Sequence, residues 1–159
     1  MPNIEANGLV LAYERLGDPT APALVLVMGL GMPLAAWPDS FVEGLITSGF
    51  QVVLFDNRDC GHSEKVNSRP RVNLPVAIGR AILRLKVRAP YTLADMAKDV
   101  IELLRALGIV RAHVVGVSMG GMIGQVMAAR FPDRVTSLTS IMASSGNPAV
   151  SLGKPGALR

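Results

Sequence analysis

Residues 113–125 read HVVGVSMGGMIGQ, an apolar run that passes through one serine into a run of small residues. Gly116-Val117-Ser118-Met119-Gly120 fits the pattern G-x-S-x-G, in which a serine sits on a sharp turn between a strand and a helix. Five positions with three of them fixed are a weak signal alone. The flanks supply the context that the pattern requires: His113 to Val117 is an apolar run of strand length, and Met119 to Phe131 has the length of a helix. The turn must be strained for the hydroxyl to stand clear of a sheet. A side chain at Gly116 or Gly120 would then collide with neighbouring backbone. Gly121 and Gly124 continue the small-residue face and let the helix lie close to the strands. Ser118 is therefore the candidate nucleophile, and a serine hydroxyl in that role needs a base to take its proton.

Outward from this turn the chain alternates strands and helices. Asn3 to Leu16 alternates around Asn7-Gly8, a strong hairpin signal, and Gly17-Asp18-Pro19 ends it. Ala23 to Met28 and Gln51 to Phe55 are continuous apolar runs, the pattern of strands buried on both faces of a parallel sheet. A helix is expected over about Pro38 to Ser48. Thr92 reads as an N-cap with Asp95 as its capping-box partner, opening a helix to about Leu107 that Gly108 ends. Its apolar face is Met96, Val100, Leu103, Leu104 and Leu107. Val135 to Met142 is the last strand. This rhythm predicts an α/β fold with a parallel sheet. Residues 1–145 read as one domain, and 146–159, rich in Gly, Pro and Ser, as a linker or frayed tail.

With 159 residues, half of them apolar, the chain can build one sizeable core. No apolar run reaches the length of a membrane span, since the longest candidate, Ala21 to Ala36, is broken by Pro22, Gly29, Gly31 and Pro33. The single cysteine, Cys60, and an N-terminus without a signal core predict a cytoplasmic protein. The net charge of +4 is local: Lys65, Arg69, Arg71, Arg80, Arg84, Lys86 and Arg88 fall between Glu64 and Asp95 with no acid among them. That stretch has no aromatic residue before Tyr91 on which a base could stack, so no nucleic-acid partner is expected. No metal-ligand spacing and no phosphate-binding glycine loop is present, so neither metal nor cofactor is expected.

Three segments carry a resemblance. VLVMGLG-x5-W starts at Val25, VVLFDNRDCGHS at Val52, and HVVGVSMGGMIGQVMAARFPDRV at His113. From about residue 8 to residue 145 the chain resembles the α/β-hydrolase fold family. The resemblance implies that Ala23–Met28 lies between Gln51–Phe55 and His113–Val117, with Val135–Met142 beyond. It also implies an oxyanion hole made by the backbone N–H groups of Met119, at the start of the helix, and Leu30, after Met28-Gly29. Met28 stands where the family commonly carries a histidine, which removes a hydrogen bond that braces the loop.

Other residues invite over-reading. His62 and Cys60 read as loop residues, His113 as a packing or capping residue, and Asp56 and Arg58 as braces of their loop through charge-assisted hydrogen bonds. The resembled family orders its triad Ser, acid, His along the chain. After Ser118 there are 41 residues with one acid, Asp133, and no histidine. The expectation is therefore the N-terminal part of a serine hydrolase that forms an acyl-enzyme on a small-molecule ester, with later strands, cap, acid and histidine lying elsewhere. The 159-residue chain alone is expected to be inactive. Two alternatives stay open: a cofactor-free haloperoxidase-type member, and a non-catalytic binding protein of the same fold. Oligomeric state and substrate identity are not legible.

Overall fold

The structure, a computed structural model, describes residues 1–66 and 89–146. Most of the basic stretch and the tail from Asn147 lie outside the described residues. Strands β1 (Asn3–Ala6) and β2 (Leu9–Leu16) form the hairpin that Asn7-Gly8 announces, and both turn residues have positive φ, 53° and 74°. Then follow β3 (Ala23–Val27), α1 (Asp39–Thr47), β4 (Gln51–Phe55), α2 (Leu93–Ala106), β5 (Ala112–Val117), α3 (Met119–Arg130) and β6 (Val135–Ile141). The six strands form one sheet in the order β1-β2-β4-β3-β5-β6. From β4 to β6 all neighbours are parallel, while β2 runs antiparallel to β4.

The sheet is covered on two faces because its central strands are apolar on both sides. Leu24, Leu26, Val52, Leu54 and Val115 face α1, packing with Leu34, Trp37 and Val42. Val25, Val27, Val53, Phe55 and Val114 face α2 and α3, packing with Met96, Val100, Leu103, Leu104, Ile123 and Met127. Each such side chain, taken fully out of water, contributes about 1.5–3 kcal/mol. Helix α2 starts at the expected capping box: the Asp95 N–H donates to the Thr92 hydroxyl oxygen and the Thr92 N–H to the Asp95 carboxylate.

The register decides where chemistry can gather. Val27 of β3 lies beside Gly116 of β5, and Leu26 beside Leu54 of β4. Parallel strands end together, so the loop after β3 (28–34), the loop after β4 (56–63) and Ser118 after β5 meet at the carboxyl edge of the sheet. In open α/β sheets that edge is where ligands bind.

Candidate active site

Ser118 occupies the single residue between β5 and α3, with φ 55° and ψ −119°. That is a costly conformation for a residue with a Cβ, of order 1–3 kcal/mol, and it persists only where the surroundings hold it. They do. The Ser118 N–H donates to the Ile141 carbonyl of β6 at 2.8 Å, and the Ser118 carbonyl accepts from Met122 N. The glycines on either side are required by space. A Cβ on Gly116 would strike the backbone of Gly120 and Gly121, and one on Gly120 would strike the Val27 and Met28 carbonyls. One on Gly121 would press on Ala143 and Ser140 of the β6 side. Ser118 itself is exposed, and no hydrogen bond to its hydroxyl is formed by any side chain among the described residues.

The loop after β3 comes up against this turn. A Cβ placed on Gly29 would lie 3.4 Å from Ser118 Cβ and 3.9 Å from Ser118 Oγ, so the two backbones approach closely. Leu30 follows in the chain, and a 3.8 Å Cα step keeps it within about 9 Å of the Ser118 hydroxyl. Met119 is the first residue of α3, where backbone N–H groups have no carbonyl a turn earlier and the helix dipole is positive. Met28 turns its side chain into the core under α1, 5% exposed, beside Leu34 and Trp37.

Two adjacent residues at the end of β4 hold this loop, and the sequence offered no sign of their partners. Asp56, 1% exposed, accepts from Leu34 N at 2.6 Å with one carboxylate oxygen and from His62 N at 2.7 Å with the other. Asn57 donates from Nδ2 to the Met28 carbonyl at 3.1 Å. Gly61 is glycine because a Cβ there would fall on the Asp56 carboxylate. The Asp56 carbonyl accepts from Ser63 Oγ, which in turn accepts from Ala12 N of β2. Hydrogen bonds to a buried carboxylate are worth about 1.5–3 kcal/mol each, so the loop geometry is strongly determined.

Asp56 and Arg58 brace this region, but their partners are different residues. Arg58 reaches away from Asp56 and binds Asp99 of α2 through two bonds of 2.6 Å. Asp99 also accepts from Asn7 of the hairpin at 2.7 Å. The available signal was an acid on the apolar face of α2, beside Met96 and Val100. Cys60 is buried, and burial together with the nearby Asp56 charge pushes its thiol above the ordinary value. A thiol held protonated is a poor nucleophile.

Neither histidine hydrogen-bonds Ser118 among the described residues. His113 is the second residue of β5, about 16 Å down the strand from Ser118, where Nδ1 meets Ser137 Oγ at 2.8 Å and the ring lies edge-on to Phe50. His62 is exposed in the loop after β4 and is tied through its backbone N–H. Asp133 lies in a 3-10 turn past the far end of α3, a helix about 18 Å long. Among the described residues no group of three or more His, Cys, Asp or Glu side chains is placed to hold a metal ion, and no helix is long and apolar enough to cross a membrane. The open cleft of about 730 Å³ between the β1–β2 hairpin and α2 is lined by Asn7, Lys98 and Glu102 and by none of Gly29, Leu30, Ser118 or Met119.

A sequence profile described as alpha/beta hydrolase fold matches residues 22–155. Rhodomycin D methylesterase of Streptomyces peucetius is 32% identical over 139 residues, covering 87% of this chain and 41% of that protein. A putative carbamate hydrolase of Variovorax paradoxus (strain S110) is 33% identical over 135 residues, covering 85% and 43%. Among solved structures, an enol-lactonase from Burkholderia xenovorans LB400 superposes with a TM-score of 0.72 at 32% identity, covering 91% of this chain and 47% of that one. The chain thus spans less than half the length of each of these relatives.

Proposed function

The chain belongs to the α/β-hydrolase fold family, and on that premise we propose that it carries the nucleophile and the oxyanion hole of a serine hydrolase acting on an ester. In this reading Ser118 Oγ attacks the ester carbonyl carbon and gives up its proton to a base. The carbonyl oxygen takes the electron pair of the broken π bond and is held by the N–H groups of Leu30 and Met119. The leaving alkoxide departs with that proton, and water then releases the acid from the acyl-enzyme. One such donor is worth about 2.7–4 kcal/mol of barrier in comparable enzymes.

The observation that carries this reading is Ser118 itself: exposed, at φ 55°, against the Gly29 backbone. The relatives add support from their names. A methyl ester, a carbamate and an enol-lactone all present a carbonyl carbon bonded to oxygen, and all three proteins are named for cleaving such groups. The base comes, in this reading, from outside these 159 residues, because His113 lies at the wrong end of β5 and His62 makes no hydrogen bond to Ser118 among the described contacts. Alone, the chain is proposed to hold a silent nucleophile. The partner is a small-molecule ester with no nucleic acid and no cofactor, and the compartment is a reducing cytoplasm, on the strength of the single buried Cys60.

Imidazole can stand in for the base. With a fluorophosphonate probe, the chain is expected to acquire one label, located on Ser118 by mass, at a rate that rises with added imidazole. Ser118→Ala should remain unlabelled. A label that appears equally in Ser118→Ala, or on His62 or Cys60, sinks the assignment.

A further inference from the structure

We propose that Asn57 is the positioning residue that aims the Leu30 N–H, acting through the Met28 carbonyl. The inference rests on the reading of Leu30 as an oxyanion donor and adds the side chain that orients it. A peptide unit is planar and trans, so the direction of a carbonyl fixes the direction of the N–H on the next residue. Two such planes flank Gly29. The first contains the Met28 carbonyl, and Asn57 Nδ2 donates to it at 3.1 Å. The second contains the Gly29 carbonyl and the Leu30 N–H, and its carbonyl accepts from Met32 N at 3.3 Å.

Between the planes lie only the two dihedrals of a glycine, the residue least able to hold a conformation by itself. A Cβ at Gly29 would meet Ser118 Cβ at 3.4 Å, an ordinary van der Waals contact, but the glycine actually present adds no stiffness of its own. The Gly29–Met32 turn is long for a hydrogen bond and lies within the loop, so it does not tie the loop to the sheet. Asp56 anchors the far end at Leu34 N, four residues beyond Leu30. Asn57 is therefore the group that ties the Ser118 side of the loop to the sheet, and it is only 3% exposed, so its geometry is set by packing. The side chain at position 28 cannot serve, because Met28 is buried under α1.

The test reads the loop, not turnover, so it stands or falls independently of whether Ser118 reacts. In ¹⁵N-labelled protein the Gly29 nitrogen is bonded directly to the Met28 carbonyl carbon and reports its hydrogen bond. In Asn57→Leu the Gly29 and Leu30 resonances are expected to shift and their order parameters to fall from about 0.85 towards 0.6, while Val25 and Val115 stay unchanged. Asn57→Asp separates the donor from the shape. Its new carboxyl can donate to Met28 only when protonated, so the loop signals should return towards wild type as pH falls and depart as it rises. Wild type scanned in parallel removes the contributions of Asp56, Asp59 and His62 in the same loop. Order parameters at Gly29 and Leu30 that are unchanged in Asn57→Leu would overturn the proposal. So would a pH-independent Asn57→Asp loop, or loss of the Val25 and Val115 signals along with those of the loop.

Discussion

Arg58, in the loop after β4, and Asp99, on the buried face of α2, are joined by two parallel hydrogen bonds of 2.6 Å, with their side chains 8% and 3% exposed. The guanidinium also lies over the Tyr91 ring, 4.9 Å from its centroid, and the carboxylate receives Asn7 of the hairpin. Partial burial works against the Arg58 charge, but the bond to Asp99 and its charge outweigh that, and Arg58 is held above its ordinary value. One ion pair thus ties the loop beside the candidate site to α2 and the hairpin. Removing one partner leaves a buried charge alone. Asp99→Ala is expected to lower the denaturant-derived stability by about 3–5 kcal/mol, whereas Arg58→Met with Asp99→Leu together should recover most of that loss. Equal losses in the single and double variants would show that the pair matters only for its packing.

Two glycines make opposite predictions. A Cβ on Gly120 would strike the Val27 and Met28 carbonyls, whereas one on Gly44 in α1 meets nothing within 4 Å. Gly120→Ala must shift the backbone at the site and is expected to lose about 1–3 kcal/mol by overpacking. Gly44→Ala should gain about 0.5–1 kcal/mol by its helix propensity. Thermal melts of the two variants check both signs. A neutral Gly120→Ala would mean that α3 is free to move away from β3.

Burial, then the hydrogen bond to Asp59 and its charge, raise the Tyr91 phenol from its ordinary 10.0 to about 12. A group whose folded pKa is raised stabilises the fold fully below its unfolded value and stops doing so as pH climbs through the folded one. The stability difference between wild type and Tyr91→Phe should therefore hold up to about pH 10 and shrink between 10 and 12. The phenolate absorbance missing from Tyr91→Phe should titrate near 12. A midpoint near 10 would place Tyr91 in solvent.

The capping box of α2 gives a test at acid pH. The bond from the Thr92 hydroxyl, then the one from its N–H, hold the Asp95 carboxyl below its ordinary value. A depressed carboxyl contributes stability above its ordinary value and loses that contribution as pH falls through the folded value. Thr92→Ala should cost about 1 kcal/mol at neutral pH. That gap should narrow as pH falls below the ordinary carboxyl value of about 4, where the unfolded chain takes up its proton first, and on through the lowered folded value. A gap independent of pH would assign the whole effect to the Thr92 oxygen that caps Asp95 N.

Much of this architecture was legible because it is written in short-range pattern. The runs at Ala23, Gln51, His113 and Val135 became strands within a residue of their expected limits, and Thr92 capped its helix with Asp95. The strand order, which the resemblance implied, is the order found. The turn at Ser118 was legible for the same reason: the glycines that its backbone demands lie two residues away on either side.

What the sequence determined by itself is therefore the set of elements, the strained serine turn and the family. Each depends on spacing of a few residues, or on motifs in a recognisable order. Only the tertiary structure decided which polar side chain grips which loop. Leu34 and Asp56 are 22 residues apart, Asn57 and Met28 29, Arg58 and Asp99 41, and Asn7 and Asp99 92. A carboxylate or an amide has several acceptable partners, and only the register of β3, β4 and β5 brings one of them within bonding distance while excluding water from the rest. That choice is made by packing, so it leaves no periodic trace along the chain.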